Sequence, residues 1–138
     1  MKKILFFILL PHSIFASIPD NKIGEKLFSL QVHNILESKC FSCHSQGKGK
    51  TKGDLDLSSR EQMLQGGETS ARVLIPGNSK DSLLIHAIKW KDPEYEMPPK
   101  ANDRLSEKEI AWVSKWVDLG APWPSKSVQD KYVLQERT

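Results

Sequence analysis

The stretch "ESKCFSCHSQGKGK", residues 37–50, contains both cysteines of this chain, Cys40 and Cys43, and His44 follows the second one directly. Two thiols separated by two residues occur in three kinds of site: a redox-active dithiol, one half of a zinc site, and the attachment point of a haem. Each kind of site needs different neighbours. The sequence on either side of the two cysteines therefore decides among them.

The surroundings of the cysteines argue against the first two kinds of site. Apolar residues at helical spacing predict a helix over residues 25–39 that leads directly to Cys40. No strand is predicted anywhere, whereas a thioredoxin-like dithiol lies in a βαβ unit. A structural zinc ion is held by four ligands, usually in two pairs. The other candidate histidines, His33 and His86, are isolated and supply no second pair.

The third interpretation is the C-x-x-C-H pattern of a covalently attached haem, and the sequence favours it. Cys40 and Cys43 lie on one turn, so each can form a thioether with a vinyl group of the same porphyrin. His44 then offers its imidazole to the iron as an axial ligand. A covalent tether suits a small domain, because the chain can hold its cofactor while burying little surface. We therefore expect one haem c per chain.

An electron-transfer haem normally has a second axial ligand, often a methionine thioether. After the N-terminal leader discussed below, the chain offers Met63 and Met97. Met63 lies in a predicted short helix and suits core packing. Met97 lies in "EMPPK", where the following prolines restrict the loop and lower the entropic cost of holding the side chain at the iron. Met97 is the expected ligand, and His33 and His86 are the alternatives.

The first residues have the layout of a secretory signal. Lys2 and Lys3 precede an apolar run and a small residue, Ala16, after which cleavage is expected. The run is shorter than the about 20 residues that span a bilayer, so an uncleaved membrane anchor is the lesser alternative. We expect an exported, periplasmic protein. Cleavage removes two lysines and no acidic residue, which lowers the formal charge from +3 to +1 and disfavours nucleic acid as a partner.

The rest of the chain is predicted to be one all-α domain, since its length and its 38% hydrophobic content fit a single small core. The expected division is a signal peptide at 1–16, a linker at 17–24, a domain at 25–124 and a polar C-terminal tail at 125–138. Within the tail, Val128 and Tyr132 could extend a short helix. Caps are expected at three helix starts: Ser58 with Glu61, Asn78 or Ser79, and Ser106 with Glu109.

Several motifs, in this order, resemble the planctomycete-type cytochrome c domain. After C-x-x-C-H come "LDL", "GGE", "IPG", "SLLIHAI", "MPP" and "LSEKEIAWVSKWVDLGAPWP", and the resemblance extends from about Gly24 to Pro124. It implies a class-I-like cytochrome c fold with helices packed around one covalent haem. It also implies thioether bonds at Cys40 and Cys43 and axial ligands His44 and Met97. Family members are often N-terminal modules of longer proteins, and "GDLDLSS" departs from the usual family loop.

These observations predict an exported single-haem cytochrome c that carries one electron between redox proteins, including acidic or membrane-bound oxidoreductases. The alternative is a haem-based peroxidase or ligand sensor with an open or labile sixth coordination site. Neither a paired-carboxylate site nor a small-molecule substrate is indicated. Two groups of basic residues are expected simply to face solvent. As alternatives, Lys48, Lys50 and Lys52 could steer an acidic redox partner, and Arg72, Lys89 and Lys91 could pair with haem propionates.

Overall fold

The computed structural model describes residues 21–69 and 71–138, so the predicted signal peptide at 1–16 lies outside the described residues. The described part is mostly helical, and the all-α prediction is confirmed. None of its helices is long and apolar enough to cross a membrane. In chain order the helices are α1 (Lys22–Leu27), α2 (His33–Lys39), α3 (Arg60–Gln65), α4 (Leu83–Ile88), α5 (Glu107–Asp118) and α6 (Lys126–Glu136). Short 3-10 turns lie at Gln46–Lys48, Lys52–Asp54 and Ala101–Asp103.

The first helical stretch brings the chain to the two cysteines, as predicted. α1 continues through a π-helical segment, Phe28–Val32, into α2, which ends directly before Cys40. The stretch starts three residues earlier than expected, at Lys22. The Asn21 side chain accepts a hydrogen bond from the amide of Gly24 at 3.1 Å and so caps the helix. The last three residues of the predicted linker therefore belong to the helix.

The hydrophobic core lies between this first stretch and α5. Trp116 of α5 and Phe28 of the π segment are fully buried, and their ring centroids lie 5.6 Å apart. Trp123 also packs on Phe28, at 4.5 Å. The Trp116 indole N–H donates to the carbonyl of Pro122 at 2.8 Å, which satisfies the polar atom that this ring buries. Other fully buried apolar side chains are Val32, Leu36, Met63, Ile85, Val113 and Val117.

The start of α3 differs from the predicted capping box. Ser59, not Ser58, caps the helix, and its hydroxyl accepts a hydrogen bond from the amide of Gln62 at 3.2 Å. The hydroxyl of Ser58 instead donates to the carboxylate of Asp56 at 2.6 Å. The prediction was wrong because a buried carboxylate outside the helix engages the serine that precedes the true cap.

The start of α4 also differs, because neither Asn78 nor Ser79 caps it and the helix begins after Ser82. The side-chain oxygen of Asn78 accepts a hydrogen bond from the amide of Asp81 at 3.1 Å, which closes a turn. The Ser82 hydroxyl donates to the Asn78 carbonyl at 2.8 Å and joins that turn to the helix start. Polar residues that look like a cap in the sequence therefore stabilise a turn.

Two strands of two residues were not predicted. β1 (His44–Ser45) and β2 (Lys50–Thr51) pair antiparallel, with His44 opposite Thr51 and Ser45 opposite Lys50. Strands this short carry no alternation of apolar and polar residues, so periodicity cannot detect them. The ladder folds the loop that follows His44 back onto itself.

The polar C-terminal tail forms a helix that packs on the protein. α6 contacts the π segment of the first helical stretch. Gln129 is buried, and its side-chain N–H donates to the carbonyl of Pro124 at 2.9 Å. The hydroxyl of Tyr132 lies 3.4 Å from the carboxylate of Glu25. From the sequence this segment was expected to be a polar tail that could extend a short helix. It forms a helix that also packs on the rest of the protein, because a few buried atoms are enough to dock a helix of mostly polar composition.

The predicted capping box at the start of α5 is confirmed. The hydroxyl of Ser106 accepts a hydrogen bond from the amide of Glu109 at 3.3 Å, and the carboxylate of Glu109 accepts one from the amide of Ser106 at 2.7 Å. That amide hydrogen bond is the main reason why the pKa of Glu109 is lowered, against the opposing effect of burial. Because α5 carries Trp116, this cap also supports the core.

We expect Ser106→Ala to lower the free energy of unfolding by about 1 kcal/mol, the usual value of an N-cap serine. Urea unfolding measured by tryptophan fluorescence tests this. Ser114→Ala, inside α5, is the control and should leave stability unchanged or slightly higher.

The same pair of variants has a predicted pH dependence. A carboxylate with a lowered pKa in the folded state stabilises the fold above its unfolded pKa, usually near 4.5, and that contribution is lost as the pH falls below it. Ser106→Ala keeps the amide hydrogen bond to the Glu109 carboxylate and removes only the hydroxyl one at 2.8 Å, so the stability difference between wild type and Ser106→Ala should narrow slightly in acid. A difference that stays constant to low pH would contradict this account.

Candidate cofactor site

A cavity of about 660 Å³ lies between α2, α4 and the loop that precedes α5. The four residues singled out by the sequence, Cys40, Cys43, His44 and Met97, all line it. Its volume falls within the ~300–1,000 Å³ that is usual for small-molecule and cofactor sites. Met97 is distant from the other three residues in the chain, so the fold is what brings this set together.

The C-x-x-C-H residues form a tight turn at the end of α2. The amide of Cys40 donates to the carbonyl of Leu36 at 2.9 Å, which is the last turn of the helix. The amides of Cys43 and His44 then both donate to the carbonyl of Cys40, at 3.1 and 3.0 Å. These bonds hold the two thiols and the imidazole within one turn of chain at the cavity wall.

The imidazole of His44 has a nitrogen that needs a partner. Its Nδ1 atom is buried and has no hydrogen-bond partner among the described residues. A buried polar atom that is left unsatisfied costs about 1–3 kcal/mol, so placing this ring at the cavity wall has an energetic cost. Within residues 21–69 and 71–138, no group of three or more His, Cys, Asp or Glu side chains could hold a metal ion. The donor set therefore suits a haem better than a zinc ion.

The thiol of Cys40 does not have the properties of a redox-active cysteine. Cys40 and Cys43 are free cysteines, and Cys40 packs against the hydrophobic core. Burial, followed by the proximity of Cys43, raises the pKa of Cys40 to about 12, and the positive charge of Lys39 opposes this only in part. A catalytic dithiol needs a lowered pKa, because the thiolate is the nucleophile.

Met97 reaches the cavity from the proline-rich loop. Its amide donates to the carbonyl of Ala87, at the end of α4, at 3.1 Å. Its side chain is 39% exposed although it is large and apolar. Met97 is thus anchored through its backbone while its side chain lines the cavity.

The other three residues considered as ligands lie elsewhere. Met63 is fully buried in the core. His33 packs edge-on against Phe28 and Phe41, with ring centroids 5.7 and 6.2 Å away. The Nε2 atom of His86 bonds the carbonyl of Lys80 at 2.7 Å, on an exposed helix face. None of the three is among the described residues that line the cavity.

The wall of the cavity combines apolar and charged side chains. Apolar lining suits the flat ring system of an aromatic cofactor. The apolar lining residues include Leu55, Leu57, Val73, Leu83, Leu84, Ala87 and Ile88, and the charged ones are Lys39, Lys52, Lys100, Glu68, Glu94 and Asp103. Of the two basic groups considered from the sequence, only Lys52 is found among the described lining residues.

The sequence analysis assigned no role to Asp56, which is 9% exposed. One carboxylate oxygen accepts hydrogen bonds from the amide and hydroxyl of Ser58, at 2.8 and 2.6 Å, and the other accepts from the amide of Gln46, at 3.3 Å. Burial alone would raise the pKa of Asp56, but these hydrogen bonds outweigh it and lower the pKa. The sequence did contain one indication of this role, the motif "LDL", because an acidic residue between two leucines that pack on the core must find hydrogen-bond partners.

Two glycines allow two loops of the cavity wall to approach closely. A Cβ atom on Gly67 would lie 2.4 Å from the carbonyl oxygen of Gly53 and 3.0 Å from the Cβ of Leu55. The amide of Glu68 donates to the same Gly53 carbonyl at 2.9 Å. A side chain at position 67 would therefore force apart two backbone segments that line the cavity.

Comparison with protein families matches residues 40–101 to the family model described as planctomycete cytochrome C. The matched range starts at Cys40 and includes His44 and Met97, so it contains all four predicted site residues. No curated protein and no solved structure matches the chain. The family resemblance inferred from the motifs is confirmed over residues 40–101 of the range from about Gly24 to Pro124 that the motifs indicated.

We expect Gly67→Ala to lower the free energy of unfolding by about 1–3 kcal/mol, the usual cost of overpacking. The carbonyl of Gly53 is backbone and cannot move aside as a flexible side chain would. Gly47→Ala is the matched control, since a Cβ there meets only the Ser45 hydroxyl at 3.6 Å. Urea unfolding measures both variants. Equal stability of the two would contradict the close approach of the loops.

Proposed function

We propose that this chain, whose residues 40–101 match the family model described as planctomycete cytochrome C, is an exported electron carrier with one covalently bound haem. In this proposal Cys40 and Cys43 form the thioethers, and His44 and Met97 are the axial ligands. The bound haem iron supplies reversible one-electron exchange. The residues of the chain hold and orient that group and limit the access of water to it.

The observation that carries the proposal is the convergence of these four residues on one cavity. Cys40, Cys43 and His44 offer two thiols and an imidazole from the end of α2. Met97 offers a thioether from the loop before α5. Two thiols, one imidazole and one thioether are the groups that a c-type haem takes from its protein.

Electron transfer is favoured over catalysis by the way Met97 is held. A carrier needs both axial ligands in both oxidation states, because little then reorganises when the electron moves. The backbone amide of Met97 is hydrogen-bonded to the carbonyl of Ala87. Pro98 and Pro99 follow Met97 in the chain and restrict the loop. A thioether on such a loop can remain close to its position, whereas a peroxidase or gas sensor needs that coordination position open.

The partners that we propose are acidic or membrane-bound oxidoreductases. Lys52 lines the cavity, and Lys48 and Lys50 lie on the exposed loop beside it, which would favour an acidic surface. The described lining residues include as many acidic as basic side chains, so Lys48 and Lys50 would supply the excess of positive charge around the cavity. Export to the periplasm is proposed from the signal-like residues 1–16.

Protein produced with its own N-terminus in bacteria that have haem c maturation machinery should give the pyridine haemochrome spectrum of haem c. The mass of the denatured chain should equal that of residues 17–138 plus one haem, because thioether bonds survive denaturation. Cys40→Ser and Cys43→Ser should each leave one covalent bond, and the double variant should lose the haem. A chain with the mass of the polypeptide alone would contradict the proposal.

The choice of Met97 as ligand has a separate test. The oxidised wild type should show the charge-transfer band of methionine bound to ferric haem, and Met97→Leu should lose it and have a lower reduction potential, since a thioether ligand raises the potential. Met63→Leu is the control, because it changes a methionine of the core at nearly constant volume.

Two outcomes would contradict this assignment. A band that persists in Met97→Leu would exclude Met97 as the ligand. A wild-type protein without the band, with a high-spin oxidised spectrum, would favour the alternative function of a haem-based peroxidase or ligand sensor.

A further inference from the structure

The segment that follows His44 contains a buried carboxylate, Asp56, to which neither the motif nor the proposed function gives a role. Asp56 is 9% exposed, and its two oxygens accept three hydrogen bonds from Ser58 and Gln46. The described ion pairs do not include it. Three hydrogen bonds offset the cost of burying this charge, and they fix the backbone segments that donate them.

The partners of Asp56 lie in two segments that follow His44 in the chain. Gln46 is two residues after His44, and Ser58 is two residues after Asp56 itself. Between them, the amide of Leu57 donates to the carbonyl of His44 at 2.8 Å. The carboxylate and this amide together fix the backbone of His44 from its C-terminal side.

Further hydrogen bonds hold the backbone of His44 and of Cys43, the residue before it. The amide of His44 donates to the carbonyl of Cys40, and the carbonyl of Cys43 accepts from the amide of Lys52 at 3.0 Å. His44 also pairs with Thr51 in the two-stranded ladder. Apart from the Ser58 hydroxyl, the carboxylate of Asp56 is the one side chain among these described bonds, since the others join backbone groups.

We propose that Asp56 is a positioning residue for His44: by clamping the segments at 46 and 57–58, it holds the imidazole in one orientation toward the haem. This inference rests on the proposed function. Asparagine cannot replace the carboxylate fully, because its side chain has one acceptor oxygen and its amide nitrogen would face a donor. The hydrogen bonds that lower the pKa of Asp56 keep it ionised at neutral pH, as this role requires.

The test compares haem-loaded Asp56→Asn with haem-loaded Asp54→Asn. Asp54 is a matched control, because it is exposed, lies two residues away and loses the same charge. Its φ of 52° is in the left-handed region, which asparagine tolerates well. Only the variant at position 56 removes the clamp.

Two measurements test the role, and the first reads the orientation of His44 independently of overall stability. The spread of the haem methyl resonances in the proton NMR spectrum of the oxidised protein depends on the orientation of the axial ligands, and it should change in Asp56→Asn only. Hydrogen exchange of the Leu57 amide should become about 10-fold faster in Asp56→Asn, because a buried hydrogen-bond network is broken, and should stay at the wild-type rate in Asp54→Asn.

The possible outcomes separate the inference from the proposed function. Unchanged methyl resonances in haem-loaded Asp56→Asn would overturn the positioning role even if the variant unfolds at lower urea concentration. If Asp56→Asn does not retain haem, Ser58→Ala, which removes one of the three hydrogen bonds, should show altered methyl resonances and faster Leu57 exchange, and no change would again overturn it. A wild-type chain without haem would instead overturn the proposed function, and this inference with it.

Discussion

The carbonyl of Cys40 accepts hydrogen bonds from the amides of both Cys43 and His44, and the arrangement of the site depends on that turn. This turn directly follows the last turn of α2, so the first helical stretch sets the direction of the turn. That stretch is in turn fixed by aromatic packing between Phe28 and Trp116. A short-range backbone constraint is therefore connected, through one helix, to the centre of the core.

The chain between the two halves of the site is held by a different kind of interaction. Apart from α3, the chain from 44 to 68 forms only two-residue strands and short 3-10 turns, and its position comes from a buried carboxylate, the two-residue ladder and a close approach of two glycines. Polar and steric constraints of this kind are directional, whereas apolar packing is not. They can therefore define the shape of a cavity wall at residues that contribute little to the core.

Several parts of the fold could be predicted because their signals are local. The helix that leads to Cys40 and the capping box of Ser106 and Glu109 depend on residues within four positions of one another. The errors at Ser58 and Asn78 also involve local partners. The Ser58 hydroxyl donates to Asp56, two residues before it, and the Asn78 side chain accepts from the amide of Asp81, three residues after it, so a cap-like side chain fits more than one local arrangement and the pattern does not say which one forms.

The sequence by itself determined that two thiols and an imidazole lie together. Cys40, Cys43 and His44 fall within five consecutive residues, so one turn of backbone is enough to group them. Only the tertiary structure decided that Met97 lines the cavity while Met63 enters the core, and that Asp56 is buried beside the segment of His44. The physical reason is chain length. Side chains separated by a dozen or more residues meet only when helices and loops have packed, and that packing depends on the whole core rather than on any single motif.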